Sequence, residues 1–226
     1  MFSKKNLKNK KVLITAGPTW VAIDKVRVIT NIFGGALGSV IAKKAYDAGA
    51  DVLLLMGPGR ALLPKESDRF KIIKFKYYDE LLKLMKKEVA SKKYDIIIHS
   101  SAVSDYKPII SKEPKIKSGK KELIIRLKPT IKIVDLIKKI DPKVFLVKFK
   151  LEVNLTKKNL IEVAYKSMLQ SNADLIVAND FKTVIKNHKA FIIDPNKNII
   201  TCDSKELIAD RLIKIIAQKI HEKDRK

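Results

Sequence analysis

The stretch "YDIIIHSSAVSDYKP" (residues 94–108) passes from an unbroken aliphatic run straight into small polar residues, one aspartate and a tyrosine. A continuous apolar run reads as a parallel strand covered on both faces, because a half-exposed strand alternates. Open parallel sheets bind ligands outside the carboxyl ends of their strands, so the polar residues that follow, Asp105 among them, mark a candidate site rim. Working outward, "KVLITAG" (11–17), "DVLLLMG" (51–57), "FKIIKF" (70–75), "VFLVKF" (144–149) and "ADLIVAN" (173–179) read as further strands.

Helical spacing lies between them. Leu37, Val40, Ile41 and Ala45 share one face, as do Leu160, Ile161, Ala164 and Met168. A last helix is expected to open with Asp203 and Glu206 as a capping pair and to bury Ile208, Leu212, Ile215 and Ile216, with the tail "HEKDRK" frayed. Strand–helix alternation predicts a Rossmann-like, doubly wound, mainly parallel α/β sheet forming a single domain over residues 1–226. Residues 107–128 break the rhythm with two prolines, many lysines and "SGK" before a short strand "ELIIRL", and read as a mobile flap or arm.

The chain has 226 residues, of which 46% are hydrophobic, enough for a substantial core. No apolar run approaches the roughly 20 residues that span a bilayer, and "VLITAG" after the basic N-terminus reads as a strand rather than a signal peptide. The lone Cys202 excludes an internal disulfide framework and fits a reducing compartment, so a cytoplasmic protein is expected. The net charge of +24 invites a nucleic-acid reading, but it comes from 42 lysines against 6 arginines scattered along the chain. Arginine is the bidentate reader of phosphate and guanine. The lysines therefore read as a solvated coat that favours anionic small substrates, without nucleic acid or membrane as partner.

Glycines at 34, 35 and 38 near a helix start let backbone N–H groups approach a phosphate, or serve tight strand–helix packing; this motif alone leaves both open. A dinucleotide fingerprint would follow the first strand at once, whereas "WVAIDKVRVITN" intervenes, and "LLLMGPG" supplies no acid for a ribose. With no Tyr-x-x-x-Lys pair, an NAD(P)-linked reductase becomes the alternative enzyme reading, and a basic nucleic-acid binder the non-enzyme one. His99 and His188 show no metal-ligand spacing and read as structural. Asp24 and Arg27 pair with each other or meet a substrate anion, with structure the favoured reading, and Trp20 either closes over substrate or packs.

In order along the chain, "VLITAGPT", "IDKVRVITNIFGGALG", "AVSDYKP", "PKIKSG", "FKLEVN" and "ADLIVAND" resemble the phosphopantothenate–cysteine ligase (phosphopantothenoylcysteine synthetase) family, in its stand-alone form. The resemblance covers residues 11 to about 194. It implies a Mg2+-dependent ligase of coenzyme A biosynthesis that activates phosphopantothenate with CTP or ATP as an acyl-nucleotidylate, then transfers the acyl group to cysteine. It also implies a homodimer whose flap completes a site across the interface. The flavin-dependent domain of the fused forms has no room in this chain, so no flavin is expected.

Carried over by position, Asn31 matches the asparagine that handles the acyl intermediate, a helix N-cap being its structural alternative, and Lys115 matches a flap lysine. Lys117 is the second choice for that lysine. Gly17, Gly34, Gly35, Gly38, Ala102, Asp105 and Phe149 fall in segments matched to the nucleotide site. Asp105 orients the nucleotide directly or through the metal, the alternative being a turn aspartate. Asn179 and Asp180 are expected to line the phosphopantothenate pocket. Phe33 and Gly34 stand where the fused bacterial forms carry hydroxyls, and "TIK" (130–132) replaces their "TPD", putting Lys132 in place of an acid. The nucleotide preference is left open by these departures.

Overall fold

The computed structural model describes residues 6–110, 115–186 and 188–224. Its first strand, β1 (Lys11–Ala16), is buried from its second residue onward and sits inside the main sheet. A short antiparallel hairpin follows, β2 (Trp20–Ala22) and β3 (Val28–Thr30), occupying the segment that separates the first strand from its glycines. Helix α1 (Ala36–Asp47) then leads into β4 (Asp51–Met56) and β5 (Phe70–Lys74). After α2 (Tyr78–Ala90) the chain crosses to the other side of β1 as β6 (Ile96–His99).

The expected arm is present at its base as an antiparallel pair, β7 (Tyr106–Pro108) and β8 (Leu127–Pro129). The strand expected at 122–127 thus begins only at Leu127. The ladder is anchored where Asp105 O accepts from Thr130 N and Arg126 O from Ile109 N, which sets that register. Residues 111–114 of the flap lie outside the described residues. The chain continues through α3 (Ile133–Ile140), β9 (Phe145–Glu152), α4 (Lys157–Gln170), β10 (Leu175–Asp180) and α5 (Phe181–Lys186). It ends with β11 (Ala190–Ile193), β12 (Ile199–Cys202) and α6 (Lys205–Asp224).

The eight-stranded sheet has the order β12-β11-β10-β9-β6-β1-β4-β5. The six strands from β10 to β5 pair in parallel, and β11 and β12 extend that edge antiparallel. Taken in chain order, the parallel strands lie third, second, first, fourth, fifth, sixth, the Rossmann arrangement, with the topological switch between β1 and β6.

Each face carries one apolar layer. Val12, Ile14, Val52, Ile98 and Val147 pack with Ile41 and Ala45 of α1 and with Ile208, Leu212 and Ile216 of α6. On the opposite face Leu13, Ile97, Leu146 and Ile176 pack with Leu81 of α2, Ile137 of α3, and Leu160, Ala164 and Met168 of α4. Burying both faces requires the continuous apolar strands seen in the sequence. Ser204, not Asp203, caps α6: its Oγ accepts from Leu207 N at 3.0 Å. That helix stays regular through Asp224, beyond the point where fraying was expected, and Lys223 Nζ donates to Lys143 O at 3.0 Å. Among the described residues no helix is long and apolar enough to cross a membrane.

Candidate active site

The loops after β1 and β6 are stitched together at the switch point. Ala102 N donates to Gly17 O at 3.0 Å, Thr19 N donates to Ala102 O at 3.2 Å, and Ser104 N donates to Thr19 Oγ1 at 2.9 Å. Beyond β3, Asn31 joins the same assembly: its Nδ2 donates to Ala102 O at 2.9 Å. Gly35, with φ 82°, is the N-cap of α1, so the helix-cap reading of Asn31 does not hold. No side chain caps α1 and its first turn carries no acid, leaving N–H groups and the positive end of the helix dipole facing outward.

A cavity of about 760 Å³ opens at this edge of the sheet, within the usual size range of small-molecule sites. Of the residues singled out in the sequence, Gly17, Asn31, Gly34, Gly35 and Gly38 line it on the α1 side. Ala102, Asp105, Phe149 and Asn179 line it elsewhere. Three do not. Asp180 is buried with both oxygens committed to backbone amides, Leu155 N and Lys182 N, each at 2.9 Å. Lys115 and Lys117 lie exposed on the arm, outside the cavity of their own chain.

Between those two lysines, Ile116 is 8% exposed and docks the arm onto the β2–β3 hairpin. Its N–H donates to Asp24 Oδ2 at 3.0 Å, and its carbonyl accepts from Arg27 Nη1 at 3.2 Å. Arg27 Nη1 also donates to Asp24 Oδ2 at 2.6 Å, which makes the Asp24–Arg27 pair structural. Burial would raise the Asp24 carboxyl, but the amides of Ile116, Val26 and Arg27 and the guanidinium outweigh it and bring it to about 2. Trp20 packs edge-on against Tyr77, ring centroids 6.1 Å apart, and lines a smaller hollow of about 370 Å³ with Pro58 and Arg60.

Glycine is required by packing at two places, and at Gly35 by its left-handed backbone as well. A Cβ on Gly38 would lie 2.5 Å from Ala16 Cβ, and one on Gly35 2.7 Å from Gly17 N. Gly34 is different, since a Cβ there finds nothing closer than Arg60 N at 3.5 Å.

The cavity is electropositive: Lys132, Lys148, Lys150, Lys166 and Lys205 line it, against Asp105 and Asp135. The Asp105 carboxylate is two-thirds exposed, with Lys132 Nζ at 3.4 Å. Among the described residues no three His, Cys, Asp or Glu side chains converge as metal ligands. The residues present therefore do not fit a metal held by a protein cage.

Sequence reasoning did not single out Lys148, which is 6% exposed on β9 beside its strand partner His99 on β6. Its Nζ donates to Ser167 O and Ser171 Oγ, both at 2.9 Å. Burial lowers its pKa, an effect that Asp135 opposes and Lys132 and Lys150 reinforce. His99, read as structural, also lines the cavity, and burial together with the Lys148 charge pushes it down to about 4. A lysine inside the apolar run "VFLVKF" was the available signal, because an interior strand position forces such a side chain into the core.

A model of the family described as "DNA/pantothenate metabolism flavoprotein C-terminal domain" matches residues 7–220. The coenzyme A biosynthesis bifunctional protein CoaBC of Thermococcus kodakarensis is 39% identical over 178 residues, 79% of this chain and 43% of that protein. Its namesake from Borreliella burgdorferi is 33% identical over 226 residues, 95% of this chain and 54% of that protein. The chain thus spans about half the length of these curated relatives. The crystal structure of the DNA/pantothenate metabolism flavoprotein from Streptococcus pneumoniae superposes with a TM-score of 0.84 at 34% identity, over 93% of this chain and 99% of that one. With residues 7–220 matched to the family model and the fold shared with that solved structure, the chain belongs to the DNA/pantothenate metabolism flavoprotein C-terminal domain family.

Proposed function

We propose that this protein is a phosphopantothenate–cysteine ligase of coenzyme A biosynthesis, forming an acyl-nucleotidylate from CTP or ATP and transferring the acyl group to cysteine. The observation that carries this reading is the electropositive cavity at the sheet switch point, with the uncapped α1 N-terminus on one side and Asn31 held at its edge. The names of the curated relatives supply the pathway.

In the first step a phosphopantothenate carboxylate oxygen attacks the α-phosphorus, and the bond to pyrophosphate breaks. Phosphate oxygens accept from the N–H groups at the start of α1, and the lining lysines offset the charge that builds up. In the second step the cysteine amine attacks the acyl carbon, the carbon–oxygen bond to the nucleotide breaks, and the nucleoside monophosphate leaves while the amine loses its proton. Asn31 Nδ2 commits one hydrogen to Ala102 O and retains another to donate to the acyl oxygen as negative charge develops there. No electrons change hands, so the reaction needs no flavin. Magnesium supplies charge neutralisation to the triphosphate as a counter-ion of the nucleotide.

The exposed lysines on the arm belong in this scheme to a homodimer. Val26 of the hairpin and Tyr106, Ile109, Ile110 and Ile124 of the arm are exposed apolar residues that a second copy would cover. Lys115 would then serve the partner's cavity. Pyrophosphate release with magnesium and phosphopantothenate, measured with CTP and with ATP and with or without cysteine, tests the reading. Release that requires phosphopantothenate supports it; a folded protein that releases none with either nucleotide refutes it.

A further inference from the structure

On the face of the sheet that carries α3 and α4, the cavity gathers amines from three elements. Lys132 stands at the N-cap of α3, Lys148 and Lys150 lie two residues apart on β9, and Lys166 lies on α4. Residues two apart on a strand share a face, so the β9 pair points toward the same helices. Carboxylates to balance them are few. Among the described residues, Asp105 and Asp135 are the acids that line the cavity. Asp105 Oδ1 already meets Lys132 Nζ at 3.4 Å, and Asp135, in the first turn of α3, acts on Lys148. Lys150 finds its acid outside the lining, Glu152 at 3.1 Å, and Lys166 forms no ion pair among the described residues. Lys132 and Lys150 are close enough to Lys148 to add to the effect of burial and press its pKa down. Like charges held together repel, and the fold bears that repulsion at a place where an anion relieves it. A divalent cation meets the opposite conditions. It takes oxygen ligands, carboxylates above all, whereas no three acidic, histidine or cysteine side chains converge among the described residues and both acids of the cavity face lysines.

We propose that the cavity takes its nucleoside triphosphate as the metal-free anion, with Lys132, Lys148, Lys150 and Lys166 supplying the counter-charge that a divalent cation would otherwise bring, an inference that rests on the ligase reading above. A free triphosphate is more negative than its magnesium complex by the charge of the ion. Four amines against two carboxylates leave a surplus of positive charge on this face, which the free anion matches better. The uncapped start of α1 adds N–H donors and a partial charge, so the whole charges come from the lysines. Lys132 and Lys166 are exposed and reach the anion from the rim, while Lys148, with two hydrogens committed to Ser167 and Ser171, meets it from inside with the third. Seating the nucleotide and turning it over are thereby separate events, and magnesium is not required for the first.

Calorimetric titration of the full chain with CTP, with ATP and with inorganic tripolyphosphate, which has the phosphates and no base, tests this without requiring turnover. Each ligand is titrated at constant ionic strength, once with magnesium in excess and once with metal stripped from protein and ligand. The metal-free anions are expected to bind roughly 10-fold more tightly than their magnesium complexes, the worth of one charge-assisted hydrogen bond. Lys132→Met and Lys166→Met should each weaken the free anions roughly fivefold and narrow that ratio to within about threefold. Both side chains are exposed, so folding is not at stake. Lys158→Met, exposed on α4 outside the cavity, should leave every affinity within about twofold, which separates the cavity amines from the charge of the whole chain. Magnesium complexes that bind as tightly as the free anions or more so, no binding in metal-free solution, an unchanged ratio in both cavity variants, or a Lys158→Met variant that loses as much as they do would each overturn the proposal. Tighter metal-free binding without pyrophosphate release once magnesium and phosphopantothenate are added would sink the ligase reading and leave this one standing. Release from a protein that binds nucleotide only when magnesium is present would do the reverse.

Discussion

Replacing Gly38 and Gly34 separately by alanine distinguishes a glycine kept for packing from one kept for a ligand. At Gly38 the new methyl carbon would sit 2.5 Å from Ala16 Cβ and 2.7 Å from Ser100 Oγ. Carbon atoms prefer about 3.5–4.0 Å, so α1 must lift off β1 by about 1 Å or the sheet must yield. Neither neighbour gives way easily, because Ala16 ends an interior strand and Ser100 Oγ is held by Thr15 O at 2.6 Å. Overpacking of this kind costs about 1–3 kcal/mol, and the rigid neighbours place Gly38→Ala near the upper end. The better helix propensity of alanine returns about 0.5–1 kcal/mol. The net loss is therefore about 2–2.5 kcal/mol, or about 4–10 °C in Tm for a chain of this size.

Gly34→Ala meets only ordinary contacts, Arg60 N at 3.5 Å and Gly59 Cα at 3.8 Å, and should melt within about 0.5 kcal/mol of the wild type. Gly34 itself lines the cavity, and its methyl group would lie beside Gly59 and Arg60 of the smaller hollow, so nucleotide affinity should fall while stability holds. Urea denaturation and nucleotide titration of both variants provide the assay. A Gly38→Ala protein as stable as the wild type would refute the claim that the α1–β1 approach is rigid. A Gly34→Ala protein with unchanged nucleotide affinity would remove that backbone from the binding surface.

Three further outcomes are expected. His99 lies at about 4 in the fold against 6.5 when unfolded, so its contribution is complete above pH 6.5 and is lost as pH falls toward 4. Linkage gives a loss of about 2 kcal/mol between pH 7 and pH 5, visible in urea denaturation and absent from His99→Gln. Asp24 is lowered in the fold, so its contribution is present above about 3.8 and lost as pH falls toward 2. Asp24→Asn should remove that acid transition and speed proteolysis of the arm at neutral pH, and unchanged cleavage would detach Ile116 from the staple. Sedimentation of Ile110→Glu and Ile124→Glu should show a shift toward monomer if the arm is the dimer contact, and a wild type that sediments as monomer would refute the homodimer.

What could be read from the sequence follows from how each residue meets the sheet. The parallel strands announce themselves because burial on two faces demands runs such as "YDIII" and "VLITA", and the order of strand and helix then fixes where the switch point falls. The short hairpin pairs hide because three-residue strands hold too few side chains to show a period, and their docking on each other depends on contacts such as Ile116 with Asp24, 92 residues apart. Asp180 misled for the same reason: its position at a strand end suggested a ligand, whereas two backbone amides consume it. Lys148 stayed hidden among 42 lysines because charge normally means surface; its place within "VFLVKF" was the one sequence sign of burial, and the sheet register places it inside.

That interior lysine bears on how the site is held. Burying a charged or neutralised amine in the middle of a strand costs stability that an isosteric methionine would not. The chain bears the cost in a place where every neighbour is fixed: Ser167 and Ser171 on α4 orient the amine, Thr15 orients His99, and Gly38 lets α1 close directly over β1. Donors locked by the sheet need no reorganisation when a ligand arrives, which is the condition under which hydrogen bonds discriminate. The arm works by the opposite principle. Its lysines are exposed and its attachment rests on one staple at Ile116. Fixed interior donors combined with separately attached cations suit the proposed activation reaction, whose charge would appear only after the nucleotide is seated.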